Sequence, residues 1–341
     1  MSNAVLVVEY AGTPAAWNAF VAATPNGSVF HRWEWRDVYC EEYGHEAPYL
    51  AAYEHELLVG ILPLVRVKSI PFGHYLVSLP FVSYPGPLGS AAAQRALCDH
   101  AVSIANGAKL VELRCRATIE TSLPSVTRKI IVLRDLVPGD YDATFKSFDS
   151  KLRSQVRRAE RENLQIRFGV DQLDAFYRVF VEHMRDLGSP VHSKSFFARL
   201  TRALGERAWI GVAYLGDEPI ACGFAIDDGT EVEMSWASSL RRHAKISPNM
   251  ALYAAFIRRS CDEQKLVFNF GRCTPGSGTH KFKQQWGSRD VPLHWYQHSP
   301  GGIPATPNPD QSGFSLAIRV WQRLPIAVTT ALGPHVIRGI P

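Results

Sequence analysis

Along the chain, segments whose apolar residues recur at helical spacing alternate with short apolar segments typical of strands. Residues 145–163 carry apolar side chains at helical spacing with basic positions between them, which predicts one long amphipathic helix. Glycine or proline ends most of the other segments. Further helices are predicted after Thr13-Pro14, at 32–43, at 91–105, from Leu173 to Gly188, from Phe196 to Gly205 and at 248–263.

Short runs of β-branched and aromatic residues predict the strands. They are 49–53, 57–67, 109–114, 128–133, 209–215, 220–226, 231–237, 266–270 and 291–296. The order of helices, strand pair, helix and strand occurs twice. Ala52-Tyr53 corresponds to Ala213-Tyr214, and Lys109 corresponds to Lys265. This repetition indicates an internally duplicated α/β unit, and two unrelated α/β domains are the alternative.

Three segments follow from this order. Residues 1–140 are predicted to form an N-terminal domain, 141–298 a C-terminal domain with the functional cleft, and 299–341 a proline-rich linker and helical tail. Four prolines between 299 and 310 favour an extended linker. The apolar segment 314–332 contains Arg319 and Arg323, which fits either a helix packed on the body or an interfacial helix.

Composition narrows the class of protein. The 341 residues include 37 Lys and Arg and 32 Asp and Glu. This net positive charge is too small for a protein that coats nucleic acid. Six scattered cysteines form no C-x-x-C pair, so neither a disulfide framework nor a metal site is predicted. The N-terminus lacks the pattern of a signal peptide, and we expect a cytoplasmic protein.

Two basic regions are candidates for anion binding. Ser247, Pro248 and Asn249 open a predicted helix after a basic loop, and a helix N-terminus attracts phosphate or an oxyanion. Arg153 and Arg157 lie four residues apart on the predicted basic helix and could contact phosphates. Ordinary capping and a solvated helix face explain the same residues without a ligand.

An apolar strand at 268–270 runs into a glycine-rich loop and returns with cations beside aromatic residues. Such a loop beyond a strand end is a common ligand site, and a hairpin loop with aromatic anchors is the alternative. The acidic residues Asp227, Asp228, Glu231 and Glu233 flank a predicted turn, where we expect them to be solvated.

Several motifs resemble those of one known family. They are His183 to Pro190 (HMRDLGSP), Trp236 to Ser239 (WASS), Ser247 to Asn249 (SPN), Phe268 to Arg272 (FNFGR) and Gly278 to Gly287 (GTHKFKQQWG). The chain is similar to FemAB-related proteins, in particular the branch associated with exosortase (PEP-CTERM) exopolysaccharide loci. The resemblance implies an α/β (α+β) fold with tandem GNAT-like domains, each a mixed twisted sheet flanked by helices, plus a C-terminal helical tail.

The same resemblance implies an N-acyltransferase that forms amides in cell-envelope or exopolysaccharide synthesis. The acyl donor would be aminoacyl-tRNA or an acyl-CoA or acyl-carrier thioester, and the acceptor a small-molecule or glycan-precursor amine; no cofactor is implied. Peripheral contact with the inner membrane is a further expectation. Phe282-Lys283 matches the family's F-K-K pattern, in which the lysine and the amide before it stabilise negative charge. Asn269 departs from the aspartate that is often found at its position.

Amide formation passes through a tetrahedral oxyanion, and a nearby cation stabilises it. Lys283 can supply that charge, and His280, Tyr253 or the substrate itself can supply the base. Arg272 could bind a phosphate or carboxylate in bidentate fashion. The other candidate binding residues are Trp236, Ser247, Asn249, Trp286, Arg153, Arg157 and Arg185. A carrier-protein-dependent or CoA-dependent amide synthase for a small metabolite, and a non-catalytic module that binds a glycan precursor or RNA, remain as alternatives.

Overall fold

The computed structural model describes residues 5–70, 72–302 and 315–341. They divide into two compact units. Among these residues, unit 1 contains 5–70, 72–129, 292–302 and 338–341, and unit 2 contains 130–291 and 315–337. Each unit has its own sheet system and its own buried apolar core.

The described residues form sixteen strands and eleven α-helices. The strands are β1 (Leu6–Glu9), β2 (Leu50–Glu54), β3 (Leu57–Leu62), β4 (Val65–Ser69), β5 (Gly73–Val77), β6 (Leu88–Gly89), β7 (Leu110–Cys115), β8 (Ser125–Val126), β9 (Ile130–Asp135), β10 (Gln165–Phe168), β11 (Ala208–Leu215), β12 (Glu218–Asp227), β13 (Glu231–Ser239), β14 (Val267–Cys273), β15 (Arg289–Pro292) and β16 (His294–His298). The helices are α1 (Pro14–Ala23), α2 (Glu34–Tyr43), α3 (Ala91–Ser103), α4 (Tyr141–Lys146), α5 (Ser150–Glu160), α6 (Leu173–Leu187), α7 (Lys194–Leu204), α8 (Pro248–Asp262), α9 (Gly278–Gln284), α10 (Ser315–Arg323) and α11 (Ile326–Ile337).

Unit 1 contains two sheets, with strand orders β1-β2-β3-β6 and β4-β5-β7-β16-β8. The predicted single strand 57–67 is therefore wrong, because β3 and β4 belong to different sheets. Pro63 and Leu64 separate them, and proline cannot donate the hydrogen bond that a continuous strand needs. Helix α3 packs on the first sheet and connects the parallel strands β5 and β7.

Unit 2 is built on one seven-stranded sheet with the order β10-β11-β12-β13-β14-β9-β15. Helix α8 packs on β11, β12 and β13 and connects the parallel strands β13 and β14. Its buried face includes Leu252, Phe256 and Ile257. The apolar face of α6 packs on β12 and β13 as well. This arrangement brings the end of β13 and the start of α8 to one edge of the core.

Each unit completes its sheet with a strand from a distant part of the chain. In unit 2, β9 pairs antiparallel with β14, although more than 130 residues separate them, as in the pairing of Ile130 with Cys273. In unit 1, β16 pairs antiparallel with β7, as in the pairing of Cys115 with His294. The compact units therefore differ from the predicted segments 1–140 and 141–298. The difference arises because a strand period in the sequence does not identify the strand's partner.

The duplication expected from the sequence is visible in the details of the two units. Strand β2 shifts register against β3 between Ala52 and Tyr53, and β11 shifts register against β12 between Ala213 and Tyr214. In each unit a helix then joins two parallel strands. The repeated Ala-Tyr pair thus marks the same irregularity in both sheets.

The predicted helix 145–163 is divided into α4 and α5. Helix α4 ends at Lys146, and the carboxylate of Asp149 accepts a hydrogen bond from the backbone N–H of Leu152 to start α5. Asp at this position is a strong N-cap. The apolar spacing continued across the break because both helices face the same core, so the periodicity did not reveal it.

The C-terminal tail contains α10 and α11, which meet at Pro325, and both helices contact α6. Most of the predicted linker, 303–310, lies outside the described residues. Within the described ranges, none of the helices has the length and apolar character needed to traverse a lipid bilayer.

Candidate functional site

A cavity of about 350 Å³ lies at the start of α8 in unit 2. The chain leaves β13 at Ser239, and Ser247 takes a left-handed conformation, with φ 52° and ψ 51°, before Pro248 begins the helix. Proline fits the first helical position because its fixed φ is already helical and no N–H is needed there. The cavity is lined by side chains of α5, β13, α8 and α9, among them Gln155, Arg158, Ser239, Ser247, Asn249 and Phe282.

The electrostatics of this cavity favour an anion. The first turn of α8 carries partial positive charge from its backbone N–H groups. Arg158 lines the cavity and donates from Nη2 to the carbonyl of Lys245 at 3.2 Å. Within the part of the chain that the structure describes, neither Arg158 nor Lys245 forms an ion pair. Arg242, on the same loop as Lys245, is instead neutralised by Glu182 and Glu218.

The structure places two predicted arginines of α5 outside this cavity. Arg153 donates to the carbonyls of Lys146 and Phe148, in the connection between α4 and α5. Arg157 lies over the ring of Phe145, with 5.4 Å between the guanidinium carbon and the ring centroid. Both residues therefore stabilise the fold locally, and Arg158 takes the position at the cavity.

Lys283 lies on α9, and only 4% of its surface is exposed. Its Nζ donates to the carbonyl of Gly271 at 2.8 Å and to that of Arg272 at 3.0 Å. Burial lowers the pKa of Lys283 to about 8, with opposing contributions from Cys273 and Glu233 and a further lowering by Arg272. An ammonium has three N–H donors, and these two hydrogen bonds use two of them. Lys283 itself does not line the cavity.

A buried polar cluster supports the strand segment that Lys283 contacts. The side-chain amide of Asn269 donates to Glu231 Oε1 at 2.8 Å and to Glu233 Oε2 at 3.0 Å. The amide oxygen of Asn269 accepts the N–H of Gly271 at 2.8 Å. The hydrogen bonds thus run from the two carboxylates through Asn269 to the N–H of Gly271, and from the carbonyl of Gly271 to Lys283.

The expectation that Glu231 and Glu233 are solvated is wrong. Their exposed fractions are 8% and 5%, because β13 continues as a central strand between β12 and β14. The sequence does contain a signal for this cluster. Asn269 stands between Phe268 and Phe270 in an apolar strand, and a polar residue in such a buried position needs a polar partner.

An aromatic layer packs beneath Phe282, the residue of α9 that lines the cavity. The ring of Tyr253 lies 5.1 Å from that of Phe282 and 5.6 Å from that of Phe270. Trp286 is fully buried against the same rings, and its indole N–H has no partner among the described residues. Burial raises the pKa of Tyr253 well above the usual phenol value, so its hydroxyl stays protonated at neutral pH.

His280 is held in place by hydrogen bonds at both ring nitrogens. Its Nδ1 accepts the N–H of Gly276 at 2.9 Å, and its Nε2 lies 2.9 Å from Asp290 Oδ2. Because Nδ1 is the acceptor, Nε2 carries the proton and donates to the carboxylate. This arrangement fixes the turn before α9, which the sequence analysis treated as part of a loop.

The remaining predicted binding residues lie elsewhere in unit 2. Trp236 packs edge-on against an aromatic cluster, with ring distances of 5.4 Å to Phe197 and 5.6 Å to Phe224. Arg185 pairs with Asp186. The side chain of Arg272 is partly exposed on β14 and does not line the cavity, although its carbonyl accepts from Lys283. Of the predicted set, the cavity brings together Ser247, Asn249 and Phe282.

The α5 wall of the cavity is formed by Arg158 and Gln155, which were not predicted as site residues from the sequence. The three-residue spacing of this pair is visible in the sequence. However, the burial of Leu152, Val156 and Ala159 is what shows which side of α5 faces the core. Only then is it clear which positions of the helix can face the cavity. No group of three His, Cys, Asp or Glu side chains suited to a metal ion is present among residues 5–70, 72–302 and 315–341.

Comparison with protein families gives a match within unit 2. Residues 146–284 match the family described as acetyltransferase (GNAT) domain. The match contains β10 to β14 and all of α5, α8 and α9, and therefore every residue named above for the cavity wall. No curated protein matches the chain in sequence.

Solved structures share the fold over most of this chain. A crystal structure of FemX superposes with a TM-score of 0.64 at 14% identity, covering 85% of this chain and 97% of that one. L-PGS from Bacillus licheniformis gives a TM-score of 0.56 at 13% identity, covering 92% and 98%. A tandem GNAT protein from the clavulanic acid biosynthesis pathway gives 0.51 at 10% identity, covering 88% and 100%. The fold is therefore a mixed α/β fold of two GNAT-like units with a C-terminal helical tail.

Proposed function

We propose that this protein is an acyltransferase of the GNAT and FemAB type, which transfers an acyl or aminoacyl group to an amine. One observation carries the proposal. The unit that matches the acetyltransferase domain holds an anion-attracting cavity at the start of α8, and Phe282, which lines it, directly precedes the buried Lys283. We propose that a phosphate-bearing donor at the helix start extends its acyl end from this cavity towards Lys283.

The donor we propose is aminoacyl-tRNA or an acyl thioester of CoA or a carrier protein. All of these carry phosphate, which Arg158 and the first turn of α8 could bind. The name of one structural relative mentions CoA, and the name of another mentions a lysyl product. The clavulanic acid pathway protein is described with reference to AcCoA. Another structural relative is the C-terminal domain of a putative lysylphosphatidylglycerol synthetase from Agrobacterium fabrum, with a TM-score of 0.56 at 10% identity, covering 85% of this chain and 94% of that one.

The reaction proceeds by direct attack. The acceptor nitrogen forms a bond to the donor carbonyl carbon, and the carbonyl oxygen becomes an oxyanion. The third N–H of Lys283 stabilises that oxyanion, while Gly271 and Arg272 hold the ammonium in place. The intermediate then collapses, the bond from carbon to the leaving oxygen or sulfur breaks, and the amide remains.

The leaving group itself receives the proton lost by the acceptor amine. Both nitrogens of His280 are engaged by Gly276 and Asp290. Tyr253 keeps its proton because burial raises the pKa of its phenol. A substrate-assisted transfer therefore fits this site better than a general base supplied by either side chain.

The acceptor we propose is an amine on a glycan precursor or a related small molecule of the cell envelope. FemX among the structural relatives, and the sequence resemblance to FemAB-related proteins of exopolysaccharide loci, support this assignment. Both proposed donor classes are made in the cytoplasm, so we place the reaction there.

The test is transfer by the full-length protein from labelled aminoacyl-tRNA and labelled acyl-CoA to amino-sugar nucleotides, with the amide detected by mass spectrometry. Lys283→Met should lower kcat by about 10²–10³-fold, the usual effect of removing an oxyanion-stabilising group. Lys281→Met, an exposed change on the same helix, should leave kcat unchanged. Binding of a donor without any transfer would instead support the non-catalytic module.

A further inference from the structure

The two C-terminal helices expose aliphatic side chains on the faces that point away from α6. On α10, Leu316 is 64% exposed and Val320 is 52% exposed. On α11, Val328 is 38% exposed and Leu332 is 47% exposed. In each helix the two residues are four apart, so they lie on one side.

The opposite sides of the same helices account for the packing on unit 2. Gly188 at the end of α6 is so close to Ile318 that a methyl group added to the glycine would lie 2.5 Å from that side chain. On α11, Gly333 is buried against Val191 in the same way. The exposed aliphatic residues are therefore not needed to attach the tail.

The charges of the tail have one sign. From Gln311 to Pro341 the sequence contains three arginines and no aspartate or glutamate. Arg319 and Arg323 are exposed and each lies three residues after one of the exposed aliphatic residues of α10. Arginines beside aliphatic side chains on a short amphipathic helix are typical of helices that lie in a membrane interface.

We propose that the outer face of α10 and α11 binds the surface of an anionic lipid membrane. Leu316, Val320, Val328 and Leu332 enter the boundary between headgroups and acyl chains, and Arg319 and Arg323 contact lipid phosphates. A second copy of the chain is a poorer occupant, because self-association through this face would bring the same arginines together without compensating acids.

The first experiment is co-sedimentation of the full-length protein with vesicles of phosphatidylglycerol and phosphatidylethanolamine. Vesicles of phosphatidylcholine alone serve for comparison. We expect binding to the anionic vesicles that weakens with added salt. Leu316→Glu combined with Val320→Glu should weaken it roughly tenfold or more, because two apolar contacts are lost and two repelled charges are added.

The control is Leu6→Glu combined with Leu57→Glu, two leucines of unit 1 that are 63% and 68% exposed. It should bind vesicles as the parent protein does. All four sites are exposed, so both variants should show the parent's urea midpoint. The proposal is overturned if the parent protein does not sediment with anionic vesicles, or if the α10 variant binds them equally well. It is also overturned if sedimentation velocity shows a dimer that the α10 variant abolishes.

Discussion

The side-chain amide of Asn269 donates a 3.0 Å hydrogen bond to the carboxylate of Glu233, and both side chains are almost completely buried. The second N–H of the same amide reaches Glu231 at 2.8 Å. An amide nitrogen has two N–H groups, so asparagine satisfies both carboxylates at once. An aspartate here would have no such donors.

Asn269→Asp should therefore destabilise unit 2. The change places a third carboxylate beside two buried ones, and we expect the free energy of unfolding at pH 7 to fall by about 3–5 kcal/mol. Urea unfolding followed by tryptophan fluorescence measures it. The loss should shrink as the pH is lowered, since protonation restores a donor. Asn106→Asp, the same change at an exposed position, is the control, and equal losses would contradict the assignment.

The pH dependence of transfer should report the ammonium of Lys283. Burial lowers its pKa to about 8, so the charged form predominates below pH 8 and disappears above it. If the charged form stabilises the oxyanion, kcat is level up to that pH and then falls by about tenfold for each further unit. Stopped assays across this range measure the profile. A fall centred near 10.5, the usual value for lysine, would show that another group controls the rate.

Arg158→Gln should raise the KM for the donor by about tenfold with a small effect on kcat. The guanidinium lines the cavity at the end where we propose that the donor phosphate binds, and there it would contribute equally to binding in the ground state and the transition state. Arg157→Gln removes the same charge one residue earlier on the same helix, away from the cavity. Equal effects of the two changes on KM would indicate that the overall positive charge of the helix attracts the donor, and not that Arg158 contacts its phosphate.

Gly271→Ala should destabilise the protein by about 3 kcal/mol. Gly271 has φ +74°, a conformation that costs free energy for other residues, and an added Cβ would lie 2.8 Å from the carbonyl oxygen of Met234. The shift of the Gly271 carbonyl would also disturb Lys283. Gly278→Ala, at the first position of α9 with open space around it, is the matched control for urea unfolding. An unchanged urea midpoint for Gly271→Ala would contradict the expected clash between the new Cβ and the carbonyl oxygen of Met234.

Acid should destabilise unit 1 through His31. Burial lowers the pKa of His31 to about 4 from 6.5, so the unfolded chain binds more protons between these values. The stability contribution is complete above pH 6.5 and is lost as the pH falls towards 4, by about 3 kcal/mol in all. Urea unfolding at pH 7 and near pH 4.5 measures it. His31→Gln should remove only the His31 part of this dependence, because burial also lowers the pKa of His45 in the same unit to about 4. His55→Gln, at an exposed position, should leave the dependence in place.

The sequence predicted local structure well where one face of an element meets the core. Helix α6 is typical, because its apolar residues recur at helical spacing and Gly188 ends it in a left-handed conformation. The sequence could not show that β9 and β16 pair with distant strands, since pairing depends on contacts that no local pattern records. The break at Asp149 was hidden for a related reason, because α4 and α5 share one core.

The sequence predicted that the candidate site lies at a helix start, but it predicted fewer of the side chains that line the site. Ser247 and Asn249 followed from the chemistry of a helix N-terminus, and the structure places both at the cavity. To predict Arg158, one must know which way each residue of α5 faces. The break between α4 and α5, which was not predicted, obscured this orientation. The Glu231, Glu233 and Asn269 cluster required knowledge that β13 and β14 are adjacent and parallel, which brings residues almost forty positions apart into contact.

The long-range pairing of β16 with β7 also constrains how the protein is made. While the ribosome synthesises the chain, the residues of β7 emerge well before those of β16, and the whole of β10 to β14 is translated in between. When the first half of the chain leaves the ribosome, one edge of β7 therefore has no partner strand, because β16 has not yet been made. We expect that a nascent chain halted before residue 294 is digested by protease within its first half, and that one released after residue 298 resists.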